Sequence, residues 1–297
     1  MKRILLTGAT GFVGRQIHKC LLEAGHEVLP VLRPGSEDRL CQGAPADIGI
    51  VTNDVFAEQP EWWAEKCEGA DAVIHAAWYV EPGKYLDSPR NLDCVAGTLA
   101  LAQGVASAGV KQLIGIGTCM EYRLPSDSLD VGAPLDPQTL YAACKLSVYH
   151  MLTQYLATTR TSLSWCRLFY LYGEGEYPTR LVPYIRERLA RGEVAKLSAG
   201  TQLRDFLDVR QAGAMIANVV ETGQPGAINI CSGMPTTIRQ LAERIADDFG
   251  RRDLLEFGTA SIHPSDPAAV VGVCNAIKFS GNSETRNESP IEAADQS

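Results

Sequence analysis

The sequence predicts an α/β fold in which helices cover both faces of a doubly wound parallel sheet. Three observations support this prediction: apolar runs recur through the first half, helical segments alternate with them, and a glycine-rich turn directly follows the first run. Strands buried on both faces are expected to be nearly continuous apolar runs. The strand-like runs are Ile4–Leu6, Val28–Leu32, Ile48–Thr52, Ala72–Ala76, Leu113–Ile116 and Leu163–Phe169, and the helical segments include Leu92–Ala108 and Tyr141–Leu156.

The glycine-rich turn carries the first functional signal. Its glycines suit a tight bend, the close approach of a pyrophosphate, and close packing of helix and strand. A helix follows, with Val13, Ile17 and Leu21 on one face and Gly25 at its end. In this context the turn predicts a dinucleotide-binding Rossmann sheet whose first helical amides hold a phosphate. The turn reads Thr7, Gly8, Ala9, Thr10, Gly11, Phe12, Val13, Gly14.

The pattern changes after about Gly173. Thr179–Arg191 and Thr237–Phe249 have helical patterns, the second with a predicted capping box of Thr237 and Gln240, and Ala227–Cys231 is a short strand candidate. We expect a dinucleotide-binding domain over residues 1–172, to which later segments can return, and a smaller C-terminal α/β substrate lobe over 173–279. Residues 280–297 are rich in Ser, Asn and Glu and predict a disordered tail.

Composition limits the classes of partner. The 297-residue chain has a net charge of −8, which gives no general electrostatic support for binding nucleic acid or an acidic membrane. No apolar run is long enough to span a bilayer, and because the N-terminus leads directly into a predicted strand, we expect no signal peptide. The nine cysteines form no C-x-x-C pair and the five histidines do not cluster. We therefore expect a cytoplasmic protein with reduced thiols and no metal site.

Tyr141 and Lys145 are the second functional signal. They stand one turn apart on the predicted helix Tyr141–Leu156. A phenol ordinarily titrates near ~10, and a neighbouring ammonium lowers its pKa, so that the pair can act as a general acid and base. The alternative is an ordinary pair on a helix surface. The glycine turn upstream favours the catalytic interpretation.

Together these motifs resemble the extended short-chain dehydrogenases/reductases, the NAD-dependent epimerase/dehydratase family, whose members act on nucleotide sugars. The resemblance spans roughly residues 1–271. It includes the turn, which is similar to T-G-x-x-G-x-x-G, and the Tyr141/Lys145 pair. Further matches are His75-Ala76-Ala77 at the fourth strand, Asn91 before Gly97-Thr98 (N-x-x-G-T), Arg167 to Gly173 (R-x-x-N-x-Y-G), and Arg204-Asp205-Phe206 (R-D-F).

The resemblance implies a catalytic set of Thr118, Tyr141 and Lys145, with Tyr141 exchanging a proton with the sugar and Lys145 binding the nicotinamide ribose. The 4,6-dehydratases of the family carry Asp and Glu after the catalytic Thr, where this chain has Cys119 and Met120, and Glu121 comes one position too late. We therefore expect no dehydratase activity. Tyr170 stands where the family has an Asn that contacts substrate. The expected substrate-binding residues are Trp78, Thr118, Cys119, Met120, Tyr141, Tyr170, Arg180 and Arg204.

Cofactor choice depends on the end of the second strand, where an acidic residue favours NAD and an arginine favours NADP. Arg33 stands there, and Arg15 could assist it, so we predict NADP, with NAD as the alternative if Glu37 or Asp38 reaches the ribose. Asp54 is expected at the adenine. The other expected cofactor-binding residues are Thr7, Gly8, Thr10, Gly11, Phe12, Val13, Gly14, Val55, His75, Ala76, Ala77, Asn91, Tyr141, Lys145 and Leu168.

The sequence therefore predicts an NADPH-dependent oxidoreductase that reduces the C4 keto group of a nucleoside-diphosphate 4-keto-6-deoxyhexose. A nucleotide-sugar 4-epimerase is the main alternative, and a non-enzymatic NADP-sensing regulator is a third. By analogy with relatives we expect a homodimer formed by the helices Leu92–Ala108 and Tyr141–Leu156.

Overall fold

A computed structural model describes residues 1–41, 49–261 and 266–277. Its strands are β1 (Arg3–Thr7), β2 (Glu27–Leu32), β3 (Ile50–Val51), β4 (Ala72–His75), β5 (Gln112–Thr118), β6 (Ser126–Leu129), β7 (Ser162–Leu168), β8 (Tyr170–Tyr172), β9 (Ala195–Leu197), β10 (Leu203–Asp208), β11 (Gly226–Ile230), β12 (Pro235–Thr237), β13 (Leu255–Phe257) and β14 (Ala269–Gly272). Its α-helices are α1 (Phe12–Glu23), α2 (Pro60–Lys66), α3 (Arg90–Ser107), α4 (Leu140–Leu156), α5 (Leu181–Ala190), α6 (Val209–Thr222) and α7 (Ile238–Asp248).

The main sheet is parallel throughout, in the order β11-β7-β5-β4-β1-β2-β3. Alternate residues of β1 enter different cores, because successive side chains of a strand point to opposite faces. Ile4 and Leu6 pack with α1 and α6, whereas Leu5 packs with α2, α3 and α4. Helices thus cover both faces, which confirms the predicted doubly wound fold.

The predicted elements of the first half are confirmed, with boundaries that differ by a few residues. The apolar run at Ile48–Thr52 contributes only the short β3, and its residue 48 lies outside the described residues. In the second half, α5, α7 and β11 stand where the sequence placed them. The capping box of α7 is present, with Thr237 Oγ1 accepting from Gln240 N at 3.0 Å and Gln240 Oε1 from Thr237 N at 2.9 Å.

A second sheet has the order β12-β10-β14-β6, and β8 pairs with β10. Helices α5 and α7 pack together beside it around Ile185 and Ile245, both fully buried. Most of this layer comes from the second half of the chain. It is the part of the fold that the sequence assigned to a substrate lobe.

The two layers exchange segments across the expected boundary at residue 172. Strand β6, from the first half, belongs to the second sheet, whereas α6 and β11 return to the main sheet. The segment Ala227–Cys231 was predicted within residues 173–279, from which later segments could return to the first domain, and β11 is such a segment. Gly213 lets α6 lie so close to α1 that a Cβ there would be 2.7 Å from Gln16 Cβ, and the returning chain then pairs with β7.

The predicted tail over 280–297 lies outside the described residues, as do residues 278–279 and His263. Within the described ranges, no helix combines the length and apolar character that a bilayer crossing requires.

Candidate active site

The turn after β1 has the close backbone packing that its glycines allow. Gly8 has φ +73°, and a Cβ there would lie 2.7 Å from Ala77 N. A Cβ on Gly14 would be 2.0 Å from Gly8 O. Helix α1 starts at Phe12 with no side-chain cap and no acidic residue in its first turn. Its first amides are therefore free to bind an anion such as a dinucleotide phosphate.

A buried hydrogen-bond chain fixes this turn against the end of β4. Thr98 Oγ1 donates to Cys94 O at 2.7 Å and therefore accepts from His75 Nε2, 3.0 Å away. His75 Nδ1 is then the acceptor for the Thr7 hydroxyl at 2.8 Å, and Thr7 Oγ1 accepts from Ala77 N at 3.2 Å. Burial, followed by the charge of Lys145, lowers the pKa of His75 to about 3. Thr7 and His75 thus hold the turn in place, whereas both were predicted as cofactor contacts.

A cleft of about 450 Å³ is lined by Arg33 and Asp54, both predicted at the cofactor, and by Trp78, which was predicted at the sugar. It also includes Arg39, which sequence reasoning missed, and Cys94. Arg39 Nη2 lies 3.4 Å from Thr10 O and donates to it. The only sequence signal for Arg39 was its short distance after Arg33. With Arg90, three cationic side chains therefore line the cleft.

Glu37, Asp38 and Arg15 do not lie where the sequence placed them relative to Arg33. Glu37 and Asp38, the alternative ribose contacts, are exposed and are absent from the described lining. Arg15 was expected to assist Arg33, but its guanidinium lies against Gly175, where a Cβ would be 1.7 Å from Arg15 Nη2. The first turn of α1 directs this side chain toward the loop after β8. Arg39 therefore lines the cleft with Arg33, whereas Arg15 does not.

Asn91 does not have the position that its predicted motif implied. It is fully buried, its Oδ1 accepts from Trp78 Nε1 at 2.8 Å, and its amide donates to Tyr85 O and Ser88 O. All its donors are therefore used within the protein. In N-x-x-G-T the Asn precedes Gly by three positions, and here that position is Cys94, which lines the cleft.

The three predicted catalytic residues come together at the carboxyl ends of the strands. Thr118 ends β5, and Tyr141 and Lys145 lie on α4, whose N-cap Thr139 accepts from Ala142 N at 3.2 Å. The Thr118 side chain lies close enough to Tyr141 to lower its pKa. Lys145 Nζ donates to Ile116 O at 2.7 Å and lies 3.7 Å from the centre of the Trp78 ring. All three side chains are buried.

The electrostatics of this set differ from the prediction. Burial raises the pKa of Tyr141 above its ordinary value, Tyr85 and Glu121 raise it further, and the Thr118 side chain opposes the shift. Burial also lowers the pKa of Lys145 to about 7, against the charge of Glu121. The predicted lowering of the Tyr141 pKa by Lys145 is therefore wrong for this arrangement, because desolvation disfavours both charged forms.

Glu121 is fully engaged within the fold beside the predicted catalytic set. Its carboxylate accepts from Thr118 N at 2.9 Å, from Trp165 Nε1 and from Arg167 Nε at 2.7 Å, and it is fully buried. Burial raises the pKa of Cys119 to about 12. Met120 packs in the apolar cluster around Tyr122 and Phe169. Neither position after Thr118 therefore carries a group that ionises at neutral pH.

Of the other predicted substrate residues, Arg204 is engaged in an ion pair within the fold. It is buried and paired with Asp266 at 2.5 Å, 5.0 Å from the ring centre of Tyr170, so its charge is already neutralised within the fold. Arg180 is exposed and pairs with Glu176 at 3.2 Å. Trp78 lies beside Tyr141, with ring centres 6.4 Å apart.

The remaining predicted cofactor residues lie near the turn or pack beneath the site. Val55 packs into the core on the α2–α4 side of the sheet, and Leu168 ends β7 opposite Thr118. Within the described ranges, no three His, Cys, Asp or Glu side chains are grouped to hold a metal ion.

The chain is similar in sequence to a known family and to characterised enzymes. The model of the NAD dependent epimerase/dehydratase family matches residues 4–231, most of the described sheet and site. The chain belongs to this family. One curated relative is dTDP-6-deoxy-L-talose 4-dehydrogenase (NAD(+)) of Aggregatibacter actinomycetemcomitans, 26% identical over 91% of this chain and 98% of that protein. Another is GDP-6-deoxy-D-mannose reductase of Pseudomonas aeruginosa, 29% identical over 83% of this chain and 80% of the relative.

Among solved structures, UDP-N-acetylglucosamine 4-epimerase of Methanobrevibacter ruminantium superposes with a TM-score of 0.81 at 21% identity. The match covers 92% of this chain and 90% of that one. At this identity the likeness establishes the fold alone.

Proposed function

We propose that the protein reduces the C4 carbonyl of a nucleoside-diphosphate 4-keto-6-deoxyhexose, with NADPH as the hydride source. The observation that carries this proposal is the buried pair of Thr118 and Tyr141, followed by two residues that cannot act as acid or base. A dehydratase needs such groups to eliminate water. Both curated relatives named above act, by their names, on 6-deoxyhexoses linked to a nucleotide.

The residues present fit a nicotinamide dinucleotide. The free amides of α1 would hold its diphosphate, in a cradle that a Cβ on Gly8 or Gly14 would fill. The adjoining cleft would take the adenosine, and Lys145 the nicotinamide ribose. When bound, the nicotinamide supplies the hydride that reduces the C4 carbonyl.

The protein groups supply the proton and the polarisation. Because burial raises its pKa, Tyr141 is a protonated phenol at neutral pH and can give its proton to the C4 oxygen. Thr118 Oγ1 accepts from Met120 N at 3.3 Å, which leaves its own proton for Tyr141 or the sugar oxygen. A charged Lys145 stabilises the phenolate that remains.

The protonated phenol also favours a reductase over an epimerase, because the two enzymes begin with Tyr141 in different protonation states. An epimerase first removes the proton of the C4 hydroxyl, for which it needs a phenolate. A reductase starts with the phenol protonated, the form that burial of Tyr141 favours.

The preference for NADP rests on Arg33 and Arg39, which both line the cleft, as does Arg90. Guanidinium groups pair strongly with phosphate, and only NADP carries a phosphate on the ribose there. We expect Arg33→Asp and Arg39→Ala each to lower the ratio of kcat/KM for NADPH to that for NADH, while Arg188→Ala on α5 leaves it unchanged. An unaltered ratio in both cleft variants would contradict the assignment to NADP.

The reaction is tested with NADPH and a panel of 4-keto-6-deoxy sugars linked to dTDP, GDP, UDP or CDP. A reductase consumes one NADPH per product, and the product gains two hydrogens by mass. An epimerase would convert a nucleotide sugar without net NADPH loss. Binding of NADPH without turnover of any sugar, by a folded protein, would favour a sensor and contradict the proposal.

A homodimer and a cytoplasmic location remain predictions. The dimer is supported by apolar side chains exposed on the two helices expected to pair: Leu92 on α3, and Met151 and Tyr155 on α4. Light scattering of the purified protein would measure its mass in solution. A monomer at all concentrations would contradict the dimer.

A further inference from the structure

Lys145 rests on an aromatic surface. Its side chain is only 4% exposed, Nζ donates to Ile116 O at 2.7 Å, and the ammonium lies 3.7 Å from the centre of the Trp78 ring. An indole face attracts a cation through its quadrupole, most strongly where water is excluded. Trp78 therefore both places the ammonium and favours its charged form.

Asn91 fixes the orientation of that indole. Its Oδ1 accepts from Trp78 Nε1 at 2.8 Å, while its Nδ2 donates to Tyr85 O at 2.6 Å and to Ser88 O at 2.9 Å. These three contacts use both amide protons and determine which way the amide points. The indole consequently has one orientation, set by a fully buried partner.

The loop held by Asn91 also supports Tyr141. Tyr141 N donates to Leu86 O at 2.8 Å, and the rings of Tyr85 and Tyr141 meet edge to face with centres 4.9 Å apart. Trp78 is a second ring neighbour of Tyr141. The buried Asn91 amide thus holds both Trp78, which contacts Lys145, and the loop that contacts Tyr141.

We propose that Asn91 and Trp78 are positioning residues for the reaction, with Trp78 seating the Lys145 ammonium and Asn91 locking the indole and the 85–88 loop against Tyr141. The proposal rests on the proposed function insofar as Tyr141 and Lys145 carry its proton transfer. It replaces the earlier predictions that Trp78 contacts the sugar and that Asn91 contacts the cofactor.

The charge of Lys145 depends on few neighbours. The titratable groups that face it are Glu121 after β5, Cys94 on α3, His75 on β4 and Tyr141 on its own helix. Burial keeps His75, Cys94 and Tyr141 in their neutral forms at neutral pH. Glu121 and the Trp78 ring are therefore the groups that oppose the desolvation of the ammonium.

The test measures the titration of Lys145 by NMR in the full chain labelled at lysine Cε, with the signal assigned by Lys145→Arg. Trp78→Leu is expected to lower the midpoint by at least about one pH unit, and Trp78→Phe by less, because indole is the stronger cation acceptor. The matched control is Trp62→Leu on α2, whose ring lies 5.8 Å from Lys66 Nζ, away from the site. It should leave the Lys145 midpoint unchanged.

The same variants are then compared in turnover. Trp78→Leu should move the alkaline limb of the kcat profile down in pH by the same amount as the NMR midpoint. Asn91→Leu, which leaves the indole untethered, should lower kcat at least about tenfold with little change in KM, because small displacements of catalytic groups are costly. Trp62→Leu should change neither.

Folding is checked by circular dichroism, and if Trp78→Leu does not fold, Trp78→Phe decides alone. If the Lys145 titration midpoint stays at the wild-type value in a folded Trp78 variant, the proposal that Trp78 positions the Lys145 ammonium is overturned. Unchanged kcat in folded Asn91→Leu would overturn its positioning role. If wild-type protein reduces no sugar, the proposed function fails, but the NMR titration still decides the Trp78 seat because it needs no substrate.

Discussion

Replacing Glu121 by glutamine removes a buried charge while almost preserving the shape of the side chain. Glu121 is fully buried and its ion-pair partner Arg167 is 1% exposed, with Oε2 and Nε 2.7 Å apart. The Arg167 guanidinium also lies between the rings of Tyr122 and Tyr149, at 4.7 and 5.2 Å from their centres. Glu121→Gln leaves this guanidinium enclosed without its carboxylate.

Removing one partner of a buried ion pair costs about 3–5 kcal/mol, because the other charge stays desolvated. We expect the free energy of unfolding of Glu121→Gln to fall by that amount. The amide oxygen can still accept from Thr118 N. The loss of stability therefore reflects the missing charge more than this hydrogen bond. The double variant Glu121→Gln/Arg167→Met, which removes both charges, should recover at least half of the loss.

The assay is equilibrium urea unfolding followed by tryptophan fluorescence, to which Trp165, a donor to Glu121, contributes. The matched control is Glu187→Gln on α5, whose partner Arg191 is 63% exposed, and this variant should change stability far less. A loss below about 1 kcal/mol for Glu121→Gln, or no recovery in the double variant, would refute the reasoning about burial.

Three further predictions concern the site. Tyr141→Phe should lower kcat at least about a hundredfold while NADPH binding, measured by fluorescence titration, stays near wild type, since only the proton donor is lost; normal turnover would remove Tyr141 from the mechanism. Gly14→Ala should weaken cofactor binding at least about tenfold, because its Cβ would stand 2.0 Å from Gly8 O, whereas Gly132→Ala, which meets only an Asp130 side-chain oxygen at 3.2 Å, should not; equal affinities would show that the turn can open at little cost. The folded pKa of His75, about 3, lies below its ordinary value, so its contribution to stability is complete above about pH 6.5 and is lost as the pH falls toward 3. Urea unfolding between pH 6 and 4 should therefore show a wild-type slope that is steeper than that of His75→Gln by up to about 1.4 kcal/mol per pH unit, and identical slopes would argue against a neutral buried imidazole.

Features encoded within one short stretch could be predicted from the sequence. The strand, turn and helix of residues 3–23 follow from an apolar run, three glycines and a helical period, all local signals. The one-turn spacing of Tyr141 and Lys145 places both on one side of α4 by helix geometry alone. The family and the class of sheet followed from such stretches in combination.

Contacts between distant stretches were decided only by the tertiary structure. Arg204 pairs with Asp266, Glu121 with Arg167, and Asn91 with the indole of Trp78, and no local pattern of apolar or charged residues announces such pairs. The return of β11 to the main sheet likewise depends on how α6 packs against α1.

The pKa values of Tyr141 and Lys145 were likewise decided only by the tertiary structure. Spacing along the helix suggested that Lys145 would lower the pKa of Tyr141, but the sign of the shift is set by how much water each group loses. That loss depends on the whole set of neighbours which the fold closes around them. The sequence by itself determined which groups meet at the ends of the strands, and the tertiary structure decided which of them carry charge.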